Sequence, residues 1–285
     1  MKMKIESIFR YRDVFKNWIN VLTHVIFNKY PVNAVMKDGS TLVIKNPLQC
    51  WLASYGVKVE YDEENDITSF KFKNRFFKFT GAGKNGDLAD VFGYQEFKQL
   101  DFKDRMVLDI GASIGDSAIY FATMGARKVI AIEPFPKSFY SLEKNISLNE
   151  CSEKIVCLNA ALSKKNGEIF LDESVENSTT LMAQDLGIGV KIKTITLQSL
   201  IKDYELADAV LKIDCEGCEY EIFENLDYKD LKAFESIWIE YHKGLKLTNL
   251  IIIPKLERSG FYINIIKKDR KSGYIIANRA DKKVQ

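Results

Sequence analysis

From residue 101 onward the sequence alternates short apolar runs with helical stretches, and this alternation limits the fold more than any other feature. The runs have the length of buried strands, and the segments between them repeat apolar residues at helical spacing. The runs are Met106–Ile110, Lys128–Ile132, Lys154–Leu158, Ala209–Ile213 and Ser236–Glu240. Such alternation predicts an α/β fold with a parallel, doubly wound sheet. After a further helical segment, Phe261–Ile266 and Tyr274–Ala277 predict an antiparallel hairpin at one edge of that sheet.

The first 100 residues predict an N-terminal extension. Apolar residues between Ile5 and Phe27 recur at three- and four-residue spacing, which predicts one amphipathic helix. Alternating runs then predict a small antiparallel sheet, namely Asn33–Met36, Thr41–Ile44, Lys58–Tyr61, Ile67–Lys73 and Phe76–Thr80. A loop, Gly81–Gly86, leads into a predicted helix, Asp87–Leu100. The predicted domains are therefore the extension, residues 1–100, and the α/β domain, residues 101–285.

Charge and composition argue against several classes of partner. The chain has 41 Lys and Arg residues against 39 Asp and Glu residues, a net charge of +2, so no overall field predicts binding to nucleic acid. Five scattered cysteines do not form a disulfide framework, and a reducing, cytoplasmic location is expected. Neither a signal peptide nor a transmembrane segment is expected. Arg10, Arg12 and Lys16 on the N-terminal helix would allow a weak membrane-surface contact, although docking on the protein is favoured.

The first strand of the α/β domain runs into a glycine turn, Gly111-Ala-Ser-Ile-Gly115, before a helix starts at Asp116. Ligands of open α/β sheets bind at this end of the first strand. Gly111 and Gly115 would let the backbone approach a ligand and let helix and strand pack closely. Asp109 precedes the turn, where a carboxylate would repel a dinucleotide pyrophosphate and attract the ammonium group of a methionine moiety. This sign, and a spacing unlike G-x-G-x-x-G, favour S-adenosylmethionine over NAD.

The second strand ends in Glu133-Pro134. An acid about twenty residues beyond the glycine turn can accept hydrogen bonds from both ribose hydroxyls of an adenosine. Because both cofactors contain adenosine, Glu133 supports a nucleoside site without distinguishing between them.

The fourth and fifth strands end in polar clusters that would meet at the same edge of the sheet. Asp214 and Glu216 follow the fourth strand, while Glu240 and His242 stand at the end of the fifth. We expect Asp214, Glu216 and His242 to act where the group is transferred.

Cys215 and Cys218 lie among these acids in a Cys-x-x-Cys spacing. A structural zinc site needs four ligands, and no second pair of cysteines or of cysteine and histidine has suitable spacing. Both cysteines are therefore predicted to be small buried side chains.

The chain resembles the FkbM-type methyltransferases over residues 90–245. The matching stretches are Val91-Phe92 with Tyr94, Val107–Asp116, Ile132-Glu133-Pro134, Asn159–Ser163, Lys212–Glu221 and Ile239-Glu240 with His242. The resemblance implies a Rossmann-like class I methyltransferase sheet and methyl transfer from S-adenosylmethionine to a hydroxyl, often on a sugar or natural-product scaffold. It implies that Asp214, Glu216 and His242 lie near the chemistry and that five residues surround the cofactor: Asp109, Gly111, Ser113, Gly115 and Glu133. We assign to the same cofactor site their neighbours Ala112, Asp116, Pro134, Asn159 and Ala160.

A neutral hydroxyl acceptor must lose its proton, and the sequence offers two routes. Asp214 or His242 would act as a base, or a divalent cation held by Asp214, Glu216 and Glu240 would lower the pKa of the hydroxyl. The base without metal is favoured, and no metal ligand is assigned.

Other functions stay open. Asp109 argues against an NAD-linked Rossmann oxidoreductase, and the acids beside His242 argue against a catalytically silent cofactor-binding module. An RNA methyltransferase is the alternative within the class, although neither an Asn-Pro-Pro-Tyr-like run nor a basic aromatic patch is present. The expected acceptor is a small molecule or glycan.

Overall fold

The computed structural model describes residues 5–82, 86–172, 187, 189–267 and 271–279. The chain divides into two compact units, with the division between Glu96 and Phe97. The first unit contains α1 (Ile5–Val14), α2 (Trp18–Ile26), β1 (Val32–Val35), β2 (Thr41–Ile44), α3 (Pro47–Ser54), β3 (Val59–Asp62), β4 (Ile67–Phe72), β5 (Arg75–Thr80) and a π-helix, Ala89–Tyr94.

The predicted N-terminal helix is interrupted, because the chain between α1 and α2 bonds to the β1 region. Phe15 is fully buried and forms an antiparallel bridge with Met36. The side chain of Asn17 donates to Asn33 O and accepts from Val35 N, both at 2.8 Å. These contacts replace helical hydrogen bonds, so the prediction of one continuous helix is wrong.

Arg10 does not lie on an open polar face of α1. Its guanidinium donates to Ser54 Oγ at 3.0 Å and to the Tyr55 hydroxyl at 2.7 Å, and it lies 3.9 Å from the centre of the Tyr55 ring. This side chain therefore joins α1 to the end of α3.

The strands of the first unit form two separate sheets rather than one. β1 pairs with β2, while β3, β4 and β5 form an antiparallel three-stranded sheet. Phe70, Phe77 and Phe79 of that sheet pack around Phe92 of the π-helix, with ring centres 4.8 to 5.8 Å apart. Aromatic burial of this kind stabilises a small sheet that has little other core.

One further prediction for this unit differs from the structure. The helix expected over Asp87–Leu100 stops early, because Gln95 adopts a left-handed backbone with φ of 58°. Residues 83–85 of the expected loop lie outside the described residues. Sequence reasoning also missed α3, which begins at a capping residue, Asn46, whose side chain accepts from Gln49 N at 2.9 Å.

The second unit contains the predicted α/β elements. Its helices are α4 (Asp116–Met124), α5 (Pro136–Leu148), α6 (Leu197–Asp203), α7 (Cys218–Asn225) and α8 (Gly244–Arg258). Its strands are β6 (Met106–Ile110), β7 (Lys128–Ile132), β8 (Ile155–Leu158), β9 (Ala160–Leu162), β10 (Gly167–Leu171), β11 (Val190–Ile195), β12 (Ala209–Ile213), β13 (Phe234–Tyr241), β14 (Phe261–Lys267) and β15 (Gly273–Arg279).

Seven of these strands form the central sheet, in the order β14-β15-β13-β12-β6-β7-β8. β13, β12, β6, β7 and β8 are parallel, and β15 and β14 add an antiparallel edge. The predicted fold class, a Rossmann-like sheet with an antiparallel C-terminal hairpin, is confirmed. Within the part of the chain that the structure describes, no helix is long and apolar enough to cross a bilayer.

A second, three-stranded sheet, in the order β10-β11-β9, was not predicted. β9 continues from the end of β8 and pairs in parallel with β11, whose other edge pairs with β10. The chain thus passes directly from the central sheet into the second sheet at Asn159, which connects β8 to β9.

Aromatic residues fill the core beside β13. Trp238 is fully buried and stacks on Tyr274 of β15, with ring centres 5.5 Å apart. Phe97 packs edge to face with the same indole, with ring centres 5.0 Å apart. These contacts fix the register of the strand that ends at the candidate site.

Candidate functional site

The residues predicted to act lie where neighbouring parallel strands end. β6 ends before Gly111, β7 before Glu133, β12 before Asp214, and β13 one residue before His242. Because β13, β12, β6 and β7 are adjacent, their carboxyl ends share one edge of the sheet. That edge is where open α/β sheets bind ligands.

Gly111 joins the first two of these strand ends to the third. Its N–H and that of Ala112 both donate to Ile132 O at 3.0 Å, and Asp214 N donates to Ile110 O at 3.0 Å. Gly111 has a φ of +76°, and a Cβ atom there would lie 1.7 Å from Asp214 O. Glycine is therefore required at this position because two protein loops touch there. The sequence had instead suggested that a ligand approaches this glycine.

Gly115 is the residue that precedes α4, and its φ is +91°. A Cβ atom there would lie 2.6 Å from Leu142 Cδ1 of α5. The close approach predicted for this glycine is therefore helix packing, and a larger side chain would disturb α5. Ser113, between the two glycines, also has a positive φ of 48°.

Asp109 is fully buried and paired, which changes the electrostatic argument made from sequence. Its Oδ1 lies 3.0 Å from Lys212 Nζ, and its Oδ2 accepts from Ser117 Oγ at 2.6 Å. Lys212 stands opposite Asp109 in the β12–β6 register and also donates to Gly111 O at 2.7 Å. The charge that was expected to attract a ligand ammonium is thus offset by a lysine, and direct contact of Asp109 with a cofactor stays a prediction.

Asp116 adds a second acid to this buried group. Burial, reinforced by the charges of Asp109 and Asp214 and opposed by that of Lys212, raises the pKa of Asp116 to about 7. For Lys212, burial lowers the pKa, but Asp109, Asp214 and Asp116 outweigh it and hold the pKa above its usual range. The lysine therefore stays charged beneath the glycine turn.

Glu133 binds the backbone on both sides of the strand end. Its Oε2 accepts from Ser113 N at 2.8 Å and its Oε1 accepts from Phe135 N at 2.9 Å. Asn159 Nδ2 donates to Glu133 O at 2.9 Å and to Pro134 O at 3.1 Å. Ala160, the next residue, is buried at the start of β9. Glu133, Pro134 and Asn159 are therefore joined by hydrogen bonds, and contact of these residues and Ala160 with a cofactor stays a prediction.

His242 lies among four carboxylates. Its Nε2 is 3.4 Å from Glu216 Oε2, 3.7 Å from Asp214 Oδ1 and 3.9 Å from Glu240 Oε1. The imidazole is 17% exposed, whereas the side chains of Asp214 and Glu216 are 30% and 37% exposed. The structure thus brings together Asp214, Glu216 and His242, the three residues predicted to be catalytic.

Glu219, the fourth carboxylate, orients the histidine and was not assigned from sequence. It is fully buried in the first turn of α7. Its Oε1 accepts from His242 N at 3.1 Å and lies 3.3 Å from His242 Nδ1, while its Oε2 accepts from Gly217 N at 2.8 Å. A carboxylate at Nδ1 keeps a proton on that nitrogen, so Nε2 is the atom that gains or loses a proton. An acid at the second position of a helix that follows a strand is the signal that would have identified it.

The carboxylates keep His242 protonated at neutral pH. Burial lowers the pKa of His242, but the hydrogen bond to Glu219 and the charges of Asp214 and Glu216 outweigh it and raise the pKa to about 9. The resting site therefore contains an imidazolium facing three acids, and a role of His242 as the base stays a prediction.

Cys215 and Cys218 are joined by a disulfide bond. Both are half-buried, so the prediction of two small buried thiols is wrong. Cys50, Cys151 and Cys157 are free thiols. The Cys-x-x-Cys spacing alone did not distinguish a disulfide bond from two thiols packed in the core, because Cys215 and Cys218 also contact the hydrophobic core.

The sequence model of a family described as "Methyltransferase FkbM domain" matches residues 109–262, more than half of the chain. The chain belongs to the FkbM methyltransferase family. The match begins at Asp109 and includes the glycine turn, Glu133 and the acids around His242. The family resemblance inferred from the motifs is confirmed.

Two curated proteins are similar to this FkbM-family chain. One is the uncharacterised protein 158B of Sulfolobus islandicus rod-shaped virus 1, 27% identical over 146 residues, which are 51% of this chain and 66% of the viral protein. The other is methyltransferase sdnD of Sordaria araneosa, 21% identical over 169 residues, 47% of this chain and 65% of the fungal protein. The chain thus spans just under two thirds of the length of these relatives.

Solved structures include a similar chain, TrmK of M. capricolum in complex with S-adenosyl-homocysteine. It is 14% identical, with a TM-score of 0.43, and the match covers 66% of the FkbM-family chain and 67% of TrmK.

Proposed function

We propose that this chain is an S-adenosylmethionine-dependent methyltransferase that acts on a hydroxyl of a small-molecule or glycan acceptor. The observation that carries the proposal is that carboxylate oxygens of Asp214 and Glu216 both lie within 4 Å of His242 Nε2, beside the glycine turn. Membership of the FkbM family supports the same reaction class.

The residues around the glycine turn fit S-adenosylmethionine. Gly115 precedes α4 and has no side chain to cap the first N–H groups of the helix. Glu133 directly follows β7, and a ribose would share its carboxylate with the amides of Ser113 and Phe135. The methionine ammonium would meet an Asp109 already paired with Lys212, so its recognition depends on the whole buried group of charges.

The chemistry required of the protein is removal of one proton. S-adenosylmethionine, when bound, supplies a methyl group on a sulfonium that leaves as a neutral thioether. The acceptor oxygen forms the new bond to the methyl carbon, and its proton passes to a carboxylate. Asp214 is the proposed base at neutral pH, because His242 is already protonated there. The imidazolium holds Asp214 and Glu216 in place against their mutual repulsion.

Cofactor binding is tested by calorimetric titration with S-adenosylhomocysteine and with NAD. Binding of the first and not of the second is expected. Glu133→Gln should weaken binding roughly tenfold or more, since it removes a charged acceptor of hydrogen bonds. Glu143→Gln, which alters an exposed acid on α5, is the matched control. Binding of NAD alone would refute the assignment of cofactor.

The acceptor is tested with labelled S-adenosylmethionine against pools of sugars, small hydroxylated metabolites and RNA. Label in a hydroxylated small molecule or glycan is expected, and Asp214→Asn should lower turnover roughly hundred- to ten-thousand-fold while S-adenosylhomocysteine affinity changes only a few-fold. Label confined to RNA would favour the alternative of an RNA methyltransferase. Four acids around one histidine make a phosphate-rich acceptor unfavourable here.

A divalent cation is the second route to an activated hydroxyl. Asp214, Glu240 and His242 offer three ligand atoms that lie within 4.8 Å of one another. A metal there would have to displace the proton of His242 Nε2. Turnover that survives a chelator would favour the base, whereas loss of turnover with recovery on adding Mg²⁺ or Mn²⁺ would favour the cation.

A further inference from the structure

The disulfide between Cys215 and Cys218 closes a four-residue ring inside the loop that connects β12 to α7. Asp214 immediately precedes the ring, and Glu216 is one of its members. Of the three proposed catalytic residues, one therefore lies inside the ring and another is directly adjacent to it.

The ring also holds an unfavourable backbone conformation. Glu216 has a φ of 56° and Gly217 a φ of 119°. A left-handed conformation is unfavourable for a residue with a side chain, so Glu216 adopts it only where the surrounding structure requires it. In that conformation its carboxylate lies 3.4 Å from His242 Nε2.

A second connection runs from the ring to the histidine through Glu219. Oε2 of Glu219 accepts from Gly217 N at 2.8 Å and lies 3.7 Å from Cys215 Sγ, while Oε1 accepts from His242 N. Loss of the ring would release the amide that fixes one oxygen of Glu219. The disulfide thus influences His242 from both sides, through Glu216 and through Glu219.

The bond is also accessible to a reductant. Cys215 and Cys218 are half-buried, and Glu216 between them is 37% exposed. Disulfide exchange requires that a thiolate reach one of the two sulfurs in line with the bond. In a reducing compartment, a half-buried pair of this kind is typical of redox-sensing rather than structural disulfides.

We propose that Cys215 and Cys218 form a redox modification site that controls the Asp214 to Glu219 loop, with the oxidised form active. A dithiol reductant attacks one sulfur, forms a mixed disulfide and is released as its own disulfide. The protein gains two electrons and two protons as two thiols. Reduction opens the ring, Glu216 leaves its left-handed conformation, and its contact with His242 is lost. The effect on turnover rests on the proposed methyl transfer, whereas the change in the loop does not.

The test compares oxidised and dithiothreitol-treated protein by three measurements. Alkylation and mass spectrometry should show two additional reactive thiols, at Cys215 and Cys218. The NMR signals of the His242 ring should move, while those of His24, the other histidine of the chain, should stay. Turnover should fall roughly ten- to hundredfold, as expected when a reacting group is displaced by about an ångström.

Two variants complete the test. The double variant Cys215→Ser/Cys218→Ser should have the His242 signals and the turnover of reduced wild type, and neither should change on adding dithiothreitol. Cys157→Ser, which removes a half-buried free thiol, should respond to dithiothreitol as wild type does. Unchanged His242 signals in reduced wild type would overturn the proposal even if methyl transfer is observed. Moved His242 signals without any methyl transfer would instead refute only the proposed function.

Discussion

Replacing Lys212 with methionine should destabilise the protein far more than loss of an ordinary ion pair. The side chains of Lys212 and Asp109 are 4% and 0% exposed, and their charged atoms are 3.0 Å apart. At an effective dielectric constant of about 20, that separation corresponds to about 5 kcal/mol of attraction. Methionine fills a similar volume but leaves Asp109 buried without its cation, and such truncations cost about 3–5 kcal/mol. We expect the free energy of unfolding to fall by that amount.

Urea denaturation followed by circular dichroism measures this change, provided that the dependence of the free energy of unfolding on urea concentration is the same in both proteins. Asp109→Asn/Lys212→Met removes both charges of the pair and should recover part of the loss, because Asp116 is then the buried acid that remains without the lysine. Lys191→Met is the control, since Lys191 pairs with Glu168 on the surface and should cost less than about 1 kcal/mol. A cost below about 1 kcal/mol for Lys212→Met would refute the view that this pair neutralises a buried charge.

Three more predictions follow from the site. Because its pKa is raised to about 9, protonated His242 stabilises the fold fully below pH 6.5, and this contribution is lost as the pH rises through 9. Between pH 6 and 10, the free energy of unfolding from urea titrations should therefore fall by up to about 3 kcal/mol more for chelator-treated wild type than for His242→Gln. Gly111→Ala should lower the melting temperature much more than Gly56→Ala, which has a similar φ of +79° but open space around it; equal losses would leave strain as the only cause. Gly115→Val should destabilise the fold, and the double variant Gly115→Val/Leu142→Ala should lose less than the sum of the two single losses, because their contact is relieved; a melting temperature unaffected by Gly115→Val would contradict the packing seen at α5.

The central sheet was predictable because its strands are continuous apolar runs. β6, β7 and β12 begin and end at the predicted residues, since buried parallel strands carry their signal in every position. The break between α1 and α2 was not predictable by the same means, because helical periodicity continues through Phe15 while the chain there pairs with Met36. β11 was missed although its sequence, Val190–Ile195, alternates apolar and lysine residues as a half-exposed strand does.

The site was predictable as a set of strand ends and not as a set of contacts. Asp214, Glu216 and His242 converge because β12 and β13 are neighbours, which the alternation of elements indicates. The pairing of Lys212 with Asp109 depends on the register between β12 and β6, which no local pattern encodes. Likewise, the raised pKa of His242 depends on Asp214, Glu216 and Glu219, which lie on a different segment of the chain, so the direction of the shift could be assigned only once their distances were known.

The distribution of tryptophan gives each unit its own optical reporter. Trp18 and Trp51 belong to the first unit, and Trp238, enclosed by Phe97 and Tyr274, is the single indole of the second. Replacing Trp238 with phenylalanine leaves emission from the extension alone, and replacing the other two leaves emission from the sheet that carries the site. Fluorescence during denaturation therefore separates the melting of one unit from that of the other, and it shows directly whether residues 1–100 unfold as a domain of their own.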